Sequence, residues 1–248
     1  MDDAWSDEIA LEGFRAGLSA LARDGLPAAD AFIAHLTEHE AELFPATGDD
    51  ESDLVAAMTT AFRDQGVDLA DDDIRMYLRA TNDVWSSSYV LASSTHALLE
   101  ALRARGLKLA LVSNTISPRW LMEPVLERMG LVERLDAIVL SSEVGKRKPH
   151  PAIFERALDE LGAAPVEALF VGDRLKADVL GASRVGMKTV QALWFRADDA
   201  PVEVEPDYQA FTQMDVLNVV DRHAVPVREA DRGKGSGKTG RLPQLPGP

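Results

Sequence analysis

Between residues 94 and 195 the chain alternates short apolar runs with helical patterns, and this alternation limits the fold more than any other feature. Leu107–Val112, Ala137–Leu140 and Ala168–Val171 are each followed by a stretch of helical periodicity, and Met187–Leu193 is a fourth such run. Runs that are apolar throughout read as strands buried on both faces, and strand–helix alternation of this kind builds a parallel sheet. The third run ends in Gly172-Asp173 and continues to Asp178, so two carboxylates five residues apart follow one strand. Open α/β sheets bind ligands at the carboxyl ends of their strands.

Residues 1–92 carry a different pattern. Phe14, Leu18 and Leu21 recur at helical spacing, as do Val55, Met58 and Phe62, and a third segment opens at Asp71-Asp72-Asp73 and runs through Ile74, Tyr77, Leu78, Trp85 and Tyr89. Acidic residues suit a helix N-terminus. No strand is expected here, so the organisation expected is a helical unit over 1–92, an α/β unit over 93–224 and a disordered tail over 225–248. A last helix is expected from about Gln213 to Arg222.

Three sites of chemistry lie at strand ends. Ser113-Asn114 follows the first run, where a hydroxyl and backbone N–H groups ahead of a helix suit a phosphate. The plainer reading is a helix cap. Lys146-Arg147-Lys148-Pro149 follows the second run and is a cationic knot in a chain of net charge −15; the plainer reading is a solvated turn. Asp173 and Asp178 offer hard oxygen ligands suited to magnesium, against the plainer reading of a cap and an exposed acid.

Composition excludes other classes. With no cysteine there is no disulfide and no thiolate chemistry. The acidic surface repels nucleic acid and anionic membrane. No apolar run reaches the length of a membrane span and the acidic start is unlike a secretory signal, so a cytoplasmic location is expected. Two lookalikes are set aside. His35-Leu36-Thr37-Glu38-His39 spells a zinc pattern without an identifiable third ligand, and Gly233–Thr239 resembles a phosphate loop but lacks the strand and helix that one needs.

The order of the three sites resembles the haloacid dehalogenase-like hydrolase superfamily. Leu109-Ala110-Leu111-Val112-Ser113-Asn114 looks like its second motif, Lys148-Pro149-His150-Pro151 its third, and Val171-Gly172-Asp173 through Asp178 its fourth. The helices ahead of the second motif are similar to a C1-type cap. The resemblance implies a Rossmann-like parallel sheet with an all-helical cap. It implies that Ser113 and Asn114 hold phosphoryl oxygens, that Lys148 offsets charge, and that Asp173 and Asp178 serve Mg2+. The substrate class implied is a small phosphorylated metabolite.

One piece is missing. The family's first motif, a strand ending in Asp-x-Asp whose first aspartate is the nucleophile, has no counterpart here; Asp2-Asp3 follows no strand. The family's first strand also stands between those bearing the second and fourth motifs, so its absence leaves backbone groups without partners. The expectation is a start that lies upstream, or else a chain in which the flanking strands close up or a partner fills the gap. The functions to weigh are a magnesium-dependent phosphatase working through an aspartyl-phosphate, a non-catalytic binding or regulatory module, and a 2-haloacid dehalogenase.

Overall fold

The computed structural model describes residues 7–45, 48–195 and 203–223. The expected tail, Gly233–Thr239 and Asp2-Asp3 lie outside the described residues. The first half is helical: α1 (Asp7–Ala20), α2 (Ala29–Glu38), the single turn α3 (Glu40–Leu43), α4 (Leu54–Asp64) and α5 (Asp71–Ser87). Their apolar stripes meet in one core of Phe32, Phe62, Ile74 and Tyr77, all fully buried. Phe32 stacks on Phe62 at 4.4 Å between ring centroids, and Tyr77 meets Phe62 edge-on at 5.0 Å. Burial pushes the Tyr77 hydroxyl strongly up, against a smaller lowering from the neighbouring Thr81 hydroxyl. Trp85 packs on Phe14 at 5.2 Å and donates to the Ala10 carbonyl, so it belongs to this core, whereas Tyr89 is exposed.

Helices α1 and α5 approach closely because glycine lines the contact. A methyl group on Gly17 would stand 2.2 Å from Thr81 Oγ1 and 2.7 Å from the Tyr77 ring. Gly17→Ala is therefore expected to cost about 1–3 kcal/mol, the usual range for overpacking, read as a lowered midpoint in thermal unfolding followed by circular dichroism.

The second half alternates. It runs α6 (Thr95–Ala104), β1 (Ala110–Ser113), α7 (Arg119–Arg128), β2 (Ala137–Leu140), the turn α8 (Ser141–Val144), α9 (Pro151–Leu161), β3 (Leu169–Gly172), the turn α10 (Gly181–Arg184), β4 (Lys188–Ala192), β5 (Tyr208–Ala210) and α11 (Asp215–His223). All strand pairings are parallel. This is the expected Rossmann-like sheet, but it is in two pieces. β1 pairs only with β2, and β3–β4–β5 form the other piece. The flanking strands have not closed up.

Several details depart from the sequence reading. The first strand starts at Ala110, not Leu107, because the Leu109 N–H is taken by the Asp136 carboxylate at 2.8 Å and the Lys108 ammonium reaches the Leu161 carbonyl. The Ser94 and Thr95 hydroxyls do not cap α6; both meet the Gln213 side chain and tie α6 to the segment before α11. The short strand β5 carried no signal in the sequence. It is fixed to β4 by Asp207, which accepts the Thr189 N–H and hydroxyl, each at 3.0 Å, and pairs with Lys188 at 2.6 Å.

Burial pushes the Asp207 carboxyl up, but Lys188 and the two Thr189 bonds outweigh it and hold it below the ordinary 3.8. A carboxyl lowered on folding contributes stability above its unfolded pKa and loses it as pH falls through the folded value. Asp207→Asn is accordingly expected to flatten the decline of the unfolding midpoint below about pH 4, measured by thermal scans across an acid pH series.

Candidate active site

Groups from the three strand ends that the sequence singles out meet at the opening between β1 and β3. Hydrogen-bond parity shows which groups face it. The Leu109 carbonyl accepts from the Asp136 and Ala137 N–H groups on the β2 side, so Ala110 and Val112 point their backbone groups the other way. The Ala168 carbonyl accepts from Lys188 on the β4 side, so Leu169 and Val171 face the opening from across it. Among the described residues no strand meets either edge. The strands are only partly covered as a result: β1 is half-buried along its whole length and Val171 is 38% exposed.

Lys148 occupies this opening. Its Nζ donates to the Val112 carbonyl at 3.0 Å, stands 2.7 Å from Asp178 Oδ1, and lies 5.4 Å from the centre of the Phe170 ring. Its side chain is 13% exposed and that of Asp178 is 4%. The lysine of the basic knot is thus buried and paired, and not a solvated turn. Asn114 fixes it from the first strand: Asn114 Oδ1 accepts the Lys148 N–H at 2.7 Å, and Asn114 Nδ2 donates to the Lys148 carbonyl at 3.0 Å.

Asp178 sits where it does because the turn after β3 is wound wide. The Asp178 and Val179 N–H groups both reach the Arg174 carbonyl, and Asp178 Oδ2 accepts the Arg174 N–H at 3.0 Å. Residues Leu175–Leu180 consequently form a π-helical turn where an ordinary helix start was expected. π-turns are rare and often mark functional sites. Gly172 makes room: a methyl there would stand 2.4 Å from Asp178 Cγ.

The remaining two groups are free. Ser113 Oγ and the Asp173 carboxylate make no hydrogen bond or ion pair among the described residues, so neither serves as the cap that their sequence positions allow. Asp178 Oδ1 is buried and close to Lys148 but makes no well-aligned hydrogen bond. A carboxylate without a partner among the described residues, five positions before a buried oxygen with spare acceptor capacity, offers the hard ligands of magnesium, which takes one or two carboxylates and completes its shell with water and phosphate oxygens. Among the described residues no three acidic or histidine side chains are grouped so as to hold a metal ion. His35 and His39 stack at 4.3 Å, and His35 Nε2 lies 3.7 Å from Asp64, without a third ligand for zinc.

The sequence reading missed Glu51. This residue lies on the loop between α3 and α4, its side chain is 2% exposed, and its Oε2 accepts the Ser141 hydroxyl at 2.5 Å. Its only sequence signal is the acidic run Asp49-Asp50-Glu51, which reads as a solvated loop. Two wider clefts, one lined by Arg119, Glu143 and Glu160 and one by Arg75, Arg79 and Asp83, include none of these site residues.

The fit of Asp178 against Gly172 gives a test. Gly172→Ala should destabilise by about 1–3 kcal/mol through overpacking, while adding it to Asp178→Gly should cost far less than the sum of the two, because the whole Asp178 side chain, including the Cβ that would stand 2.5 Å from the new methyl, is then gone. Additive losses in denaturant titrations would refute this contact.

Known proteins are similar to this chain. The family model described as hydrolase, haloacid dehalogenase-like hydrolase, matches residues 5–186. A glyceraldehyde 3-phosphate phosphatase of Methanopyrus kandleri is 32% identical over 176 residues, covering 69% of this chain and 66% of its own. A phosphoglycolate phosphatase of Aquifex aeolicus is 35% identical over 128 residues, 51% of this chain and 57% of that one. The chain therefore spans somewhat under two thirds of these relatives' lengths. The crystal structure of a 2-haloacid dehalogenase from Pseudomonas syringae superposes with a TM-score of 0.57 at 20% identity, over 90% of this chain and 96% of that one, a likeness of fold.

Proposed function

The chain belongs to the haloacid dehalogenase-like hydrolase family, and from that premise we propose that it forms the phosphate- and metal-holding part of a magnesium-dependent phosphatase for a small phosphate monoester. The observation that carries this reading is Lys148 held between the Val112 carbonyl of β1 and Asp178 after β3, with Ser113 at the end of β1 and Asp173 directly after β3. The phosphatase names of its relatives support the phosphate ester over a haloacid.

The residues divide the work. Ser113 Oγ, without a partner among the described residues, and the backbone N–H of Asn114 would donate to phosphoryl oxygens at a strand end. Lys148 offsets the negative charge of the phosphoryl group during transfer, when such fixed charges matter most. Asp173 and Asp178 hold Mg2+, which supplies further charge neutralisation when bound. The nucleophile is a carboxylate on a strand seated between β1 and β3. Its oxygen attacks phosphorus while the second aspartate of the same Asp-x-Asp protonates the departing ester oxygen; that aspartate, now a carboxylate, takes a proton from the water that attacks the aspartyl-phosphate, releasing phosphate and regenerating the nucleophile. Such a strand also takes the Val112 carbonyl as its ladder acceptor and releases the Lys148 ammonium toward the substrate. No such strand is present among the described residues.

The rival reading is a non-catalytic binding module, favoured by the lack of an Asp-x-Asp at a strand end among the described residues. Both readings include ligand binding, and turnover separates them. The chain is expected to bind inorganic phosphate in the presence of Mg2+ without hydrolysing p-nitrophenyl phosphate, and to hydrolyse it once a strand ending in Asp-x-Asp is joined ahead of α1. A well-folded joined form that stays inactive would favour the binding module. Turnover by the chain alone would place the nucleophile elsewhere. Asp173→Asn should abolish Mg2+ binding in isothermal titration; unchanged binding would refute the metal assignment.

A further inference from the structure

We propose that Glu51, a cap residue, is a positioning residue for the phosphate site, holding in register the two loops that carry Ser113–Asn114 and Lys148. The proposal rests on the phosphatase reading above. A nearly fully buried carboxylate is costly to maintain unless it is hydrogen-bonded and faces positive charge. Glu51 has both: the Ser141 hydroxyl donates to its Oε2, its Oε1 accepts the Ser52 N–H at 3.2 Å, and Arg147 Nε stands 4.0 Å from Oε2.

These contacts lead to both phosphate-facing loops. On the first side, the Ser141 hydroxyl that donates to Glu51 accepts the Thr115 N–H at 2.7 Å. A hydroxyl donating to a carboxylate is a stronger acceptor in turn, because hydrogen bonds in a chain polarise one another. Glu51 thereby fixes the turn immediately after Ser113-Asn114. On the second side, the Glu51 N–H donates to the Gly145 carbonyl at 3.1 Å, the Arg147 N–H donates to the Asp49 carbonyl at 2.8 Å, and Asp50 pairs with Lys146. The cap loop is thus laid as a short antiparallel rung along the segment that leads into Lys148. Asn114 closes the circuit by binding the Lys148 backbone at both its N–H and its carbonyl.

A cap loop that grips both loops couples cap docking to phosphate geometry. With Glu51 removed, the Ser141 hydroxyl turns to its other neighbour, the Thr115 carbonyl 3.2 Å away, and the register of the first loop against the second is lost. The side chains that would touch phosphate are unaltered, so the loss appears in how well they are aimed.

The test is the affinity of the full chain for inorganic phosphate with Mg2+ present, by isothermal titration, together with amide hydrogen exchange over residues 113–117. Glu51→Ala should weaken phosphate about tenfold, the scale of one charge-assisted hydrogen bond, and speed exchange at Thr115. Glu51→Gln, which still accepts the Ser141 hydroxyl, should recover most of the affinity. Ser141→Ala should reproduce the loss and add little to Glu51→Ala, and it decides the matter if Glu51→Ala does not fold. Normal phosphate affinity in Glu51→Ala, or an equal loss in Glu51→Gln, overturns the positioning role and leaves the phosphatase reading intact. Failure of the unsubstituted chain to bind phosphate overturns the phosphatase reading, and this role with it.

Discussion

The ammonium of Lys148 stands where two pieces of sheet face each other without touching. A strand edge presents backbone groups that must find partners. The Val112 carbonyl finds the lysine, and the lysine's charge is met by Asp178 on the far side. Removing either end leaves the other buried and unpaired, a loss that commonly exceeds the net value of the pair. Much else follows from keeping this contact: Gly172 for clearance, the wide turn that returns the Asp178 and Val179 N–H groups to Arg174, and the Asn114 clamp on the Lys148 backbone. The ring of Phe170 beneath the ammonium is itself held edge-on by Phe154 at 5.0 Å.

The sequence made the architecture legible because its signals are local. Short apolar runs ending at Ser113, Leu140 and Gly172 set the strands, and the periodic stripes of Phe14, Met58 and Ile74 set the helices. The gap in the sheet was legible too, since a motif with a fixed place in a strand order leaves a mark when it is missing. Of the residues read from the strand ends, Asn114, Lys148 and Asp178 meet, because parallel strands all end on one side.

Non-local contacts were not legible. Three residues of β5 carry too little pattern to announce a strand, and what fixes them is a side chain, Asp207, reaching Thr189 across 18 positions. Ser94 and Thr95 look like caps because capping is a local rule, yet a partner more than a hundred residues away takes their hydroxyls. Glu51 looks like one more surface acid within a strongly acidic chain. Only its burial against Ser141, 90 positions away, separates it from Asp53, which caps α4 in the ordinary local way by accepting the Val55 and Ala56 N–H groups.

The cap and the core meet along two seams of different character. Along α7 the contact is broad and partly apolar: Leu121 joins the cap's own core, Asn82 donates to the Leu121 carbonyl, Arg128 reaches the Ser86 carbonyl, and Arg75 and Arg79 lie over the Trp120 ring at 5.0 and 5.4 Å. At residues 48–51 the contact is narrow and made of hydrogen bonds and ion pairs. Apolar burial is indifferent to small rotations, whereas hydrogen bonds weaken steeply with angle. If the cap rocks against the core, the α7 seam is the one able to persist as a pivot and the 48–51 seam the one to open. The pivot carries none of the phosphate-facing residues. The seam that opens runs beside Thr115 and Lys148, so cap motion bears directly on how the site is set.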